Sequence, residues 1–154
     1  MEIWSLGIAL FSAAISGISI WVSIDTYKKT VEHDKKQDTI EAFNRLQNEV
    51  LDKIVLTKKE ARNIATVVGS DEYKTLSKYL ARIEHFCVGI NAEIYDIDVL
   101  KRLAGKYFIG IFEKLSPLIE KKREINKTDK HYDEFERTVE SLRRRYSNDE
   151  HKRS

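Results

Sequence analysis

The feature of this sequence that most constrains its fold is a long uncharged stretch near the N-terminus. No Asp, Glu, Lys or Arg occurs from Ile3 to Ile24, although charged residues make up 34% of the chain. As an α-helix this stretch would extend about 33 Å, enough to cross a hydrocarbon core of about 30 Å. The preceding Met1-Glu2 has no basic residue, and the apolar run is longer than that of a cleaved signal peptide. The sequence therefore predicts an uncleaved transmembrane anchor over residues 1–27.

The basic residues that follow the stretch predict its orientation. Lys28 and Lys29 come directly after it, and Lys35 and Lys36 lie one to two turns further on. Because lysine and arginine favour the cytoplasmic side of a membrane, we expect the remainder of the chain in the cytoplasm. The single Cys87 excludes an internal disulfide, as is usual for a reducing compartment. The predicted location is the cell inner membrane, single-pass, with the N-terminus outside.

The residues after the anchor have the pattern of an all-α domain. The whole chain contains one Pro and six Gly, and apolar residues recur at spacings of three and four. A first helix is predicted from about Thr30 through Ala65, ending before Gly69, which suits a left-handed turn. Ser70 is the expected N-cap of a second helix. The expected buried stripe of that helix is Tyr73, Leu76, Leu80, Ile83, Phe86, Cys87 and Ile90.

Two more helices complete the predicted domain. Asp96 or Asp98 would cap the third, and Ser116-Pro117 would either kink it or end it. The polar segment Asn126–Thr128 separates it from the last helix. We therefore predict a four-helix, bundle-like cytoplasmic domain over residues 28–147, with a polar, disordered tail over residues 148–154.

Hydroxyl side chains within the uncharged stretch fall on one face of the predicted helix. Steps of four and three residues alternate along it, which is a heptad spacing. In lipid, small side chains permit close helix approach, and hydroxyls form hydrogen bonds between helices. The pattern therefore indicates a parallel homo-oligomer; serines that bond only to their own helix would not be confined to one face. This seam consists of Ser5, Ala9, Ser12, Ser16, Ser19 and Ser23.

Two clusters of mostly basic side chains in the cytoplasmic domain are candidate phosphate-binding groups. The first cluster falls within two helical turns, and the second pairs two residues that share a helix face. Brought together at a subunit interface, they would hold phosphates through charge-assisted hydrogen bonds. The alternative is an ordinary solvated helix surface. The candidates are Lys58, Lys59, Arg62, Asn63, Arg82 and His85.

Signals of catalysis, cofactors and nucleic-acid binding are missing from the sequence. The four histidines are far apart and match no metal-ligand spacing, and no Gly-rich phosphate loop is present. Glu84 and His85 are adjacent, so on a helix they do not face each other. The net charge of +2 is too small for a dedicated binder of DNA or long RNA. We therefore predict a non-enzymatic protein without metal or cofactor.

The stretch YLARIEHFCVGINAEIYDIDVLKRLAGKYF, residues 79–108, resembles an uncharacterised bacterial family of small membrane-anchored helical proteins. That family has a Leu-x-x-Ile/Phe-Glu pattern, matched by Leu80, Ile83 and Glu84, and then an aspartate-capped helix, matched by Asp98. These are mostly packing positions. The resemblance therefore implies a fold and no particular activity.

In layout the chain is similar to the small membrane effector of type III CRISPR systems that cyclic tetra-adenylate activates. Both have a membrane segment first and a helical sensor second. The resemblance implies a tetramer that perturbs the bilayer during antiviral defence, with a cyclic oligonucleotide as its signal. A membrane-tethered scaffold that recruits a protein partner, with no small ligand, is the alternative function.

Overall fold

The computed structural model describes residues 2–151, with side chains at Trp21 and from Ser23 to His151. All regular structure in these residues is helical, which confirms the predicted all-α class. Five α-helices and one short 3-10 turn occur, and the described residues include no strand. The helices are α1 (Glu2–Glu49), α2 (Lys58–Thr66), α3 (Asp71–Asn91), α4 (Ile97–Asn126) and α5 (Asp133–His151), with the 3-10 turn at Leu51–Lys53.

The chain divides into two units, Met1–Lys35 and Lys36–Ser154, and the division falls within α1. In the first unit, the Lys29 ammonium lies 2.7 Å from the Asp25 carboxylate. The Thr30 hydroxyl donates to the Thr26 carbonyl, 3.0 Å away. These contacts follow the i,i+4 spacing of an exposed helix.

No helix among the described residues has both the length and the apolar content that crossing a bilayer requires. Nearly all of the predicted span Ile3–Ile24 lies outside the described side chains. The same holds for the seam positions Ser5, Ala9, Ser12, Ser16 and Ser19, whereas Ser23 is described and exposed. The anchor and its seam therefore stay predictions.

The single first helix predicted from Thr30 to Ala65 is wrong, because the chain breaks between Glu49 and Lys58. Val50 has non-helical dihedrals and begins the 3-10 turn. Thr57 then forms a capping box with Glu60, whose carboxylate accepts the Thr57 N–H at 2.7 Å. The break lets Val50 and the adjacent Leu51 both be fully buried. The second unit consequently contains four complete helices and the end of α1, rather than four helices in all.

The predicted start of α3 is confirmed. Gly69 has a φ of +96°, the left-handed conformation that glycine adopts without strain. The Ser70 hydroxyl accepts the Tyr73 N–H at 3.1 Å, so Ser70 is the N-cap. The whole expected stripe from Tyr73 to Ile90 is buried. Sequence periodicity therefore identified the buried face of α3 correctly.

Asp96, rather than Asp98, caps α4: its carboxylate accepts the N–H groups of Asp98 and Val99 at 2.8 and 3.3 Å. Pro117 is buried within α4 and does not end it, whereas Ala104 has non-helical dihedrals. The helix ends at Asn126, before Lys127 in the left-handed conformation, as the predicted break at residues 126–128 requires. The last helix, α5, continues to His151, into the segment 148–154 for which disorder was predicted.

Aromatic rings connect three helices in the core of the second unit. The Phe108 ring of α4 is 6.1 Å from Phe86 of α3 and 5.1 Å from Phe135 of α5. Leu103 and Tyr107, on another face of α4, are exposed. Helix α2 packs against α4, and α3 packs against α5. One side of α3 is thereby covered by α5.

Candidate functional site: a groove between two helices

The other side of α3 faces the end of α1 across an open groove. Arg45 and Glu49 of α1 line it, opposite Arg82 and His85 of α3, and Tyr95 closes one end. We call this the α1/α3 groove. Its volume of about 380 Å³ lies at the small end of the range for pockets that bind small molecules.

Apolar side chains form the floor of the α1/α3 groove. Leu46 of α1 and Val50, which follows α1, are buried beneath it, together with Phe86 of α3. The Tyr95 ring stacks on Phe86, with centroids 5.4 Å apart and an interplanar angle of 21°. The groove therefore offers an aromatic wall beside an apolar floor.

The position of Tyr95 depends on Gly89. The Tyr95 N–H donates to the Gly89 carbonyl at 3.0 Å, and the ring lies directly over the Gly89 Cα. A Cβ at position 89 would approach two ring carbons within 3.0 Å, closer than real Cβ contacts occur. Gly89 is needed here for close approach.

The rim of the groove is charged and exposed. Arg45, Arg82 and His85 are all exposed, and the Arg82 guanidinium donates to the Glu49 carboxylate across the groove. With His85 neutral, the rim carries two positive charges and one negative charge. Guanidinium groups beside an aromatic ring suit a ligand with an anionic group and a planar ring.

A buried hydroxyl ties α1 to the segment that carries Tyr95. Thr39 is fully buried, and its Oγ1 accepts the Asp96 N–H at 2.7 Å. Asp96 in turn caps α4. Thr39 of α1, the segment that carries Tyr95 and the start of α4 are therefore linked by hydrogen bonds.

The structure brings together only part of the predicted candidate set. Arg82 and His85 line the α1/α3 groove, whereas Asn63 and Arg62 line two other pockets. Lys58 and Lys59 are exposed in the first turn of α2. Within one chain the two clusters do not share a cavity. That a second copy of the chain brings them together stays a prediction.

Sequence reasoning missed Arg45 and Tyr95. Arg45 and Glu49 are four residues apart, which places both on one face of α1. This spacing can be recognised in the sequence, but it does not indicate which helix packs beside this face of α1. Tyr95 lies in a short connection between helices, where periodicity gives no signal.

Glu84 and His85 point to different sides of α3, as their adjacency predicted. The two carboxylate oxygens of Glu84 accept the N–H groups of Glu134 and Phe135, at 3.1 and 2.8 Å. Glu84 is thus a cap supplied by α3 to the start of α5, where a carboxylate suits the helix dipole. Burial raises the pKa of this carboxyl, against the lowering effect of the two backbone hydrogen bonds.

Cys87 is fully buried on the α5 side, and burial raises the pKa of its thiol well above the ordinary value. It is therefore a packing residue rather than an exposed nucleophile. Among the described residues, no group of three or more His, Cys, Asp or Glu side chains is arranged to hold a metal ion.

Fold and groove together define a class: an all-helical protein with one open, partly basic groove between α1 and α3. Residues 6–143 match the model of a domain of unknown function, DUF4760, and the chain belongs to this family. The match covers most of the helical unit and most of the uncharged N-terminal stretch. No curated protein and no solved structure matches the chain.

Proposed function

We propose that this chain is a non-enzymatic sensor anchored in the cell inner membrane, whose α1/α3 groove binds a phosphate-bearing nucleotide signal. The candidate signal is a cyclic oligoadenylate. The supporting observation is that Arg45, Arg82 and His85 rim the same groove that Tyr95 lines. Cationic side chains bind phosphate oxygens, and aromatic rings stack on bases.

In this proposal, residues 1–27 hold the chain in the bilayer, and the helical unit faces the cytoplasm. Copies associate through the serine seam, with a tetramer favoured by the likeness in layout to the type III CRISPR effector. A signal that binds one arrangement of the copies more tightly shifts the population toward it. The expected outcome is membrane perturbation in antiviral defence, without contact to DNA or long RNA.

Calorimetry on the full chain in detergent, with cyclic tri-, tetra- and hexa-adenylate as ligands, tests the binding step. A hydrogen bond to a charged group contributes about 1.5–3 kcal/mol, so Arg82→Ala should weaken binding about tenfold or more. Arg144→Ala is the matched control, because Arg144 is exposed on α5 and bonds Ser141 of the same helix. Absence of heat with every ring size contradicts the proposal.

A second set of variants separates the two candidate clusters. If the ligand bridges subunits, the triple variant K58A/K59A/R62A should weaken binding as Arg82→Ala does. Asn63→Ala would then add a smaller loss. If one groove suffices, the α2 variants should bind like the unmodified chain.

A tethered scaffold is the second candidate function, and one observation favours it. Val55 is 87% exposed beside Leu56, Ile64 and Tyr79, in a surface pocket between α2 and α3. An exposed apolar side chain over an apolar pocket suits a protein partner. On this reading, Val55→Asp should abolish co-purification of a stoichiometric partner, whereas Val67→Asp, also at an exposed valine, should not.

A further inference from the structure

The groove already contains an anion of the chain itself. The Arg82 guanidinium donates to the Glu49 carboxylate, which reaches across from α1. The two side chains are 59% and 49% exposed. Because exposed ion pairs of this kind are weak, a second anion can compete for Arg82. Glu49 therefore occupies the position that a phosphate would take.

Glu49 is also the last residue of α1, and its carboxylate is unfavourable there. The C-terminal end of a helix carries partial negative charge and favours cations. The last turn of α1 contains no basic residue. Arg82 of α3 supplies the missing cation. The ion pair thus offsets the repulsion between Glu49 and the helix end, besides filling the groove.

The end of α1 is connected to the 3-10 turn and to α4. The Val50 N–H donates to the Leu46 carbonyl at 2.9 Å, closing the last turn. The next residue, Leu51, accepts a hydrogen bond from the Tyr107 hydroxyl of α4 at 3.2 Å. A change in the last turn of α1 consequently reaches α4.

We infer that Glu49 is a built-in competitor for Arg82, which a phosphate-bearing ligand displaces, and that its release loosens the last turn of α1. The inference rests on the function proposed above, since it concerns regulation of the same groove. Because the ligand must first break the Arg82–Glu49 ion pair, its affinity for the groove is lower than it would be without Glu49. In return, occupancy of the groove changes the end of the helix that begins in the predicted anchor.

The first test compares cyclic tetra-adenylate binding to the full chain and to two variants with the same loss of charge. Glu49→Gln removes the competitor, and binding should become about two- to fivefold tighter, the range that a weak exposed ion pair supports. Glu41→Gln is the control: it lies two turns earlier on α1, is exposed, and contacts Gln37. Its affinity should equal that of the unmodified chain.

The outcomes separate this inference from the proposed function. Tighter binding by Glu49→Gln alone supports both. Unchanged or weaker binding by Glu49→Gln, with clear binding by the unmodified chain, overturns the competitor and leaves the groove as the binding site. Equal tightening in both variants would indicate a general charge effect and also overturn it. Absence of binding in every variant overturns both.

The second test needs no ligand. Arg82→Gln leaves Glu49 unneutralised at the helix end, as displacement by a phosphate would. Amide hydrogen exchange at Val50 and Lys53 should then accelerate in the full chain, whereas the Arg144→Gln control should leave it unchanged. Exchange at these amides that is the same in Arg82→Gln and in the unmodified chain overturns the loosening of α1.

Discussion

The two sides of α3 differ in how their polar side chains are paired and exposed. On the α5 side, polar groups of α3 pair with the backbone of α5: Glu84 accepts two N–H groups, and the Asn91 amide donates to the Glu134 carbonyl at 2.9 Å. On the α1 side, Arg82 and His85 remain exposed around an open groove. One face of α3 is thus packed against another helix, whereas the opposite face borders the open groove that we propose as the binding site.

The difference follows from what covers each face. Helix α5 supplies Phe135, Val139 and Leu142, all fully buried, so the α5 side excludes water. Helix α1 ends at Glu49, and an open groove lies between its last turns and α3. Substitutions on the α5 side should therefore change stability, and substitutions in the groove should change binding.

The largest expected effect is at Phe135, on the α5 side. Its ring is fully buried, 5.1 Å from both Phe108 and Phe112. Phe135→Ala should lower the free energy of unfolding by about 3–5 kcal/mol, because it removes buried contacts and leaves a cavity. Urea unfolding followed by circular dichroism measures this. His85→Ala, in the groove, should change it by less than about 0.5 kcal/mol; equal losses would contradict the division.

Glu84→Ala should have the next largest effect. It removes the carboxylate that accepts the N–H groups of Glu134 and Phe135 at the start of α5. Loss of an N-terminal cap costs about 0.5–2 kcal/mol. The same unfolding experiment measures it, and amide exchange at Phe135 should accelerate. Glu140→Ala, at an exposed position in the middle of α5, serves as the control, and an equal loss there would contradict the capping role.

Two glycine-to-alanine substitutions, one beside the groove and one on α4, test the groove side of α3. Gly89→Ala forces Tyr95 to move, and overpacking costs about 1–3 kcal/mol, of which alanine's better helix propensity offsets about 1. Gly110→Ala on α4 meets nothing within 4 Å and should instead stabilise by about 0.5–1 kcal/mol. Ligand binding should weaken in Gly89→Ala alone. Stabilisation by both substitutions would show that Tyr95 is free to rearrange.

Local signals in the sequence predicted much of this fold. The period of apolar residues identified the buried face of α3, and Gly69, Ser70 and Asn126 marked helix boundaries correctly. Each of these signals depends on residues that lie only a few positions apart in the sequence. The break after Glu49 was also marked, by the Thr57–Glu60 capping box, but continuous apolar spacing through this region concealed it.

The groove could be predicted only in part, because it depends on contacts between helices distant in sequence. Arg82 and His85 were identified from charge on one helix face. The pairing of Arg82 with Glu49, 33 positions earlier, depends on how α1 packs against α3. Glu84 shows the same limit, since its role as the cap of α5 connects residues 50 and 51 positions apart.

The smallest expected effect is a pH dependence on the α5 side. Burial raises the pKa of Glu84, and the nearby Glu134 and Asp133 carboxylates add to this, whereas the N–H groups of Phe135 and Glu134 oppose it. Asn91, Cys87, Thr138 and Tyr132 on this side carry no charge at neutral pH, and Arg137 pairs with Asp133 and Glu134. The folded chain therefore binds a proton at Glu84 more readily than the unfolded chain. Its contribution to stability is present at low pH and is lost as pH rises through the raised pKa.

Glu84→Gln isolates this contribution, because the amide keeps one acceptor and cannot titrate. As pH falls from neutral into the acidic range, the unmodified chain should gain stability relative to Glu84→Gln, measured by urea unfolding at each pH. Exposed ion pairs such as Arg143–Glu113 are present in both proteins and cancel in the difference. The opposite slope would mean that the two N–H groups outweigh burial. Glu84 would then stabilise α5 chiefly as a charged cap.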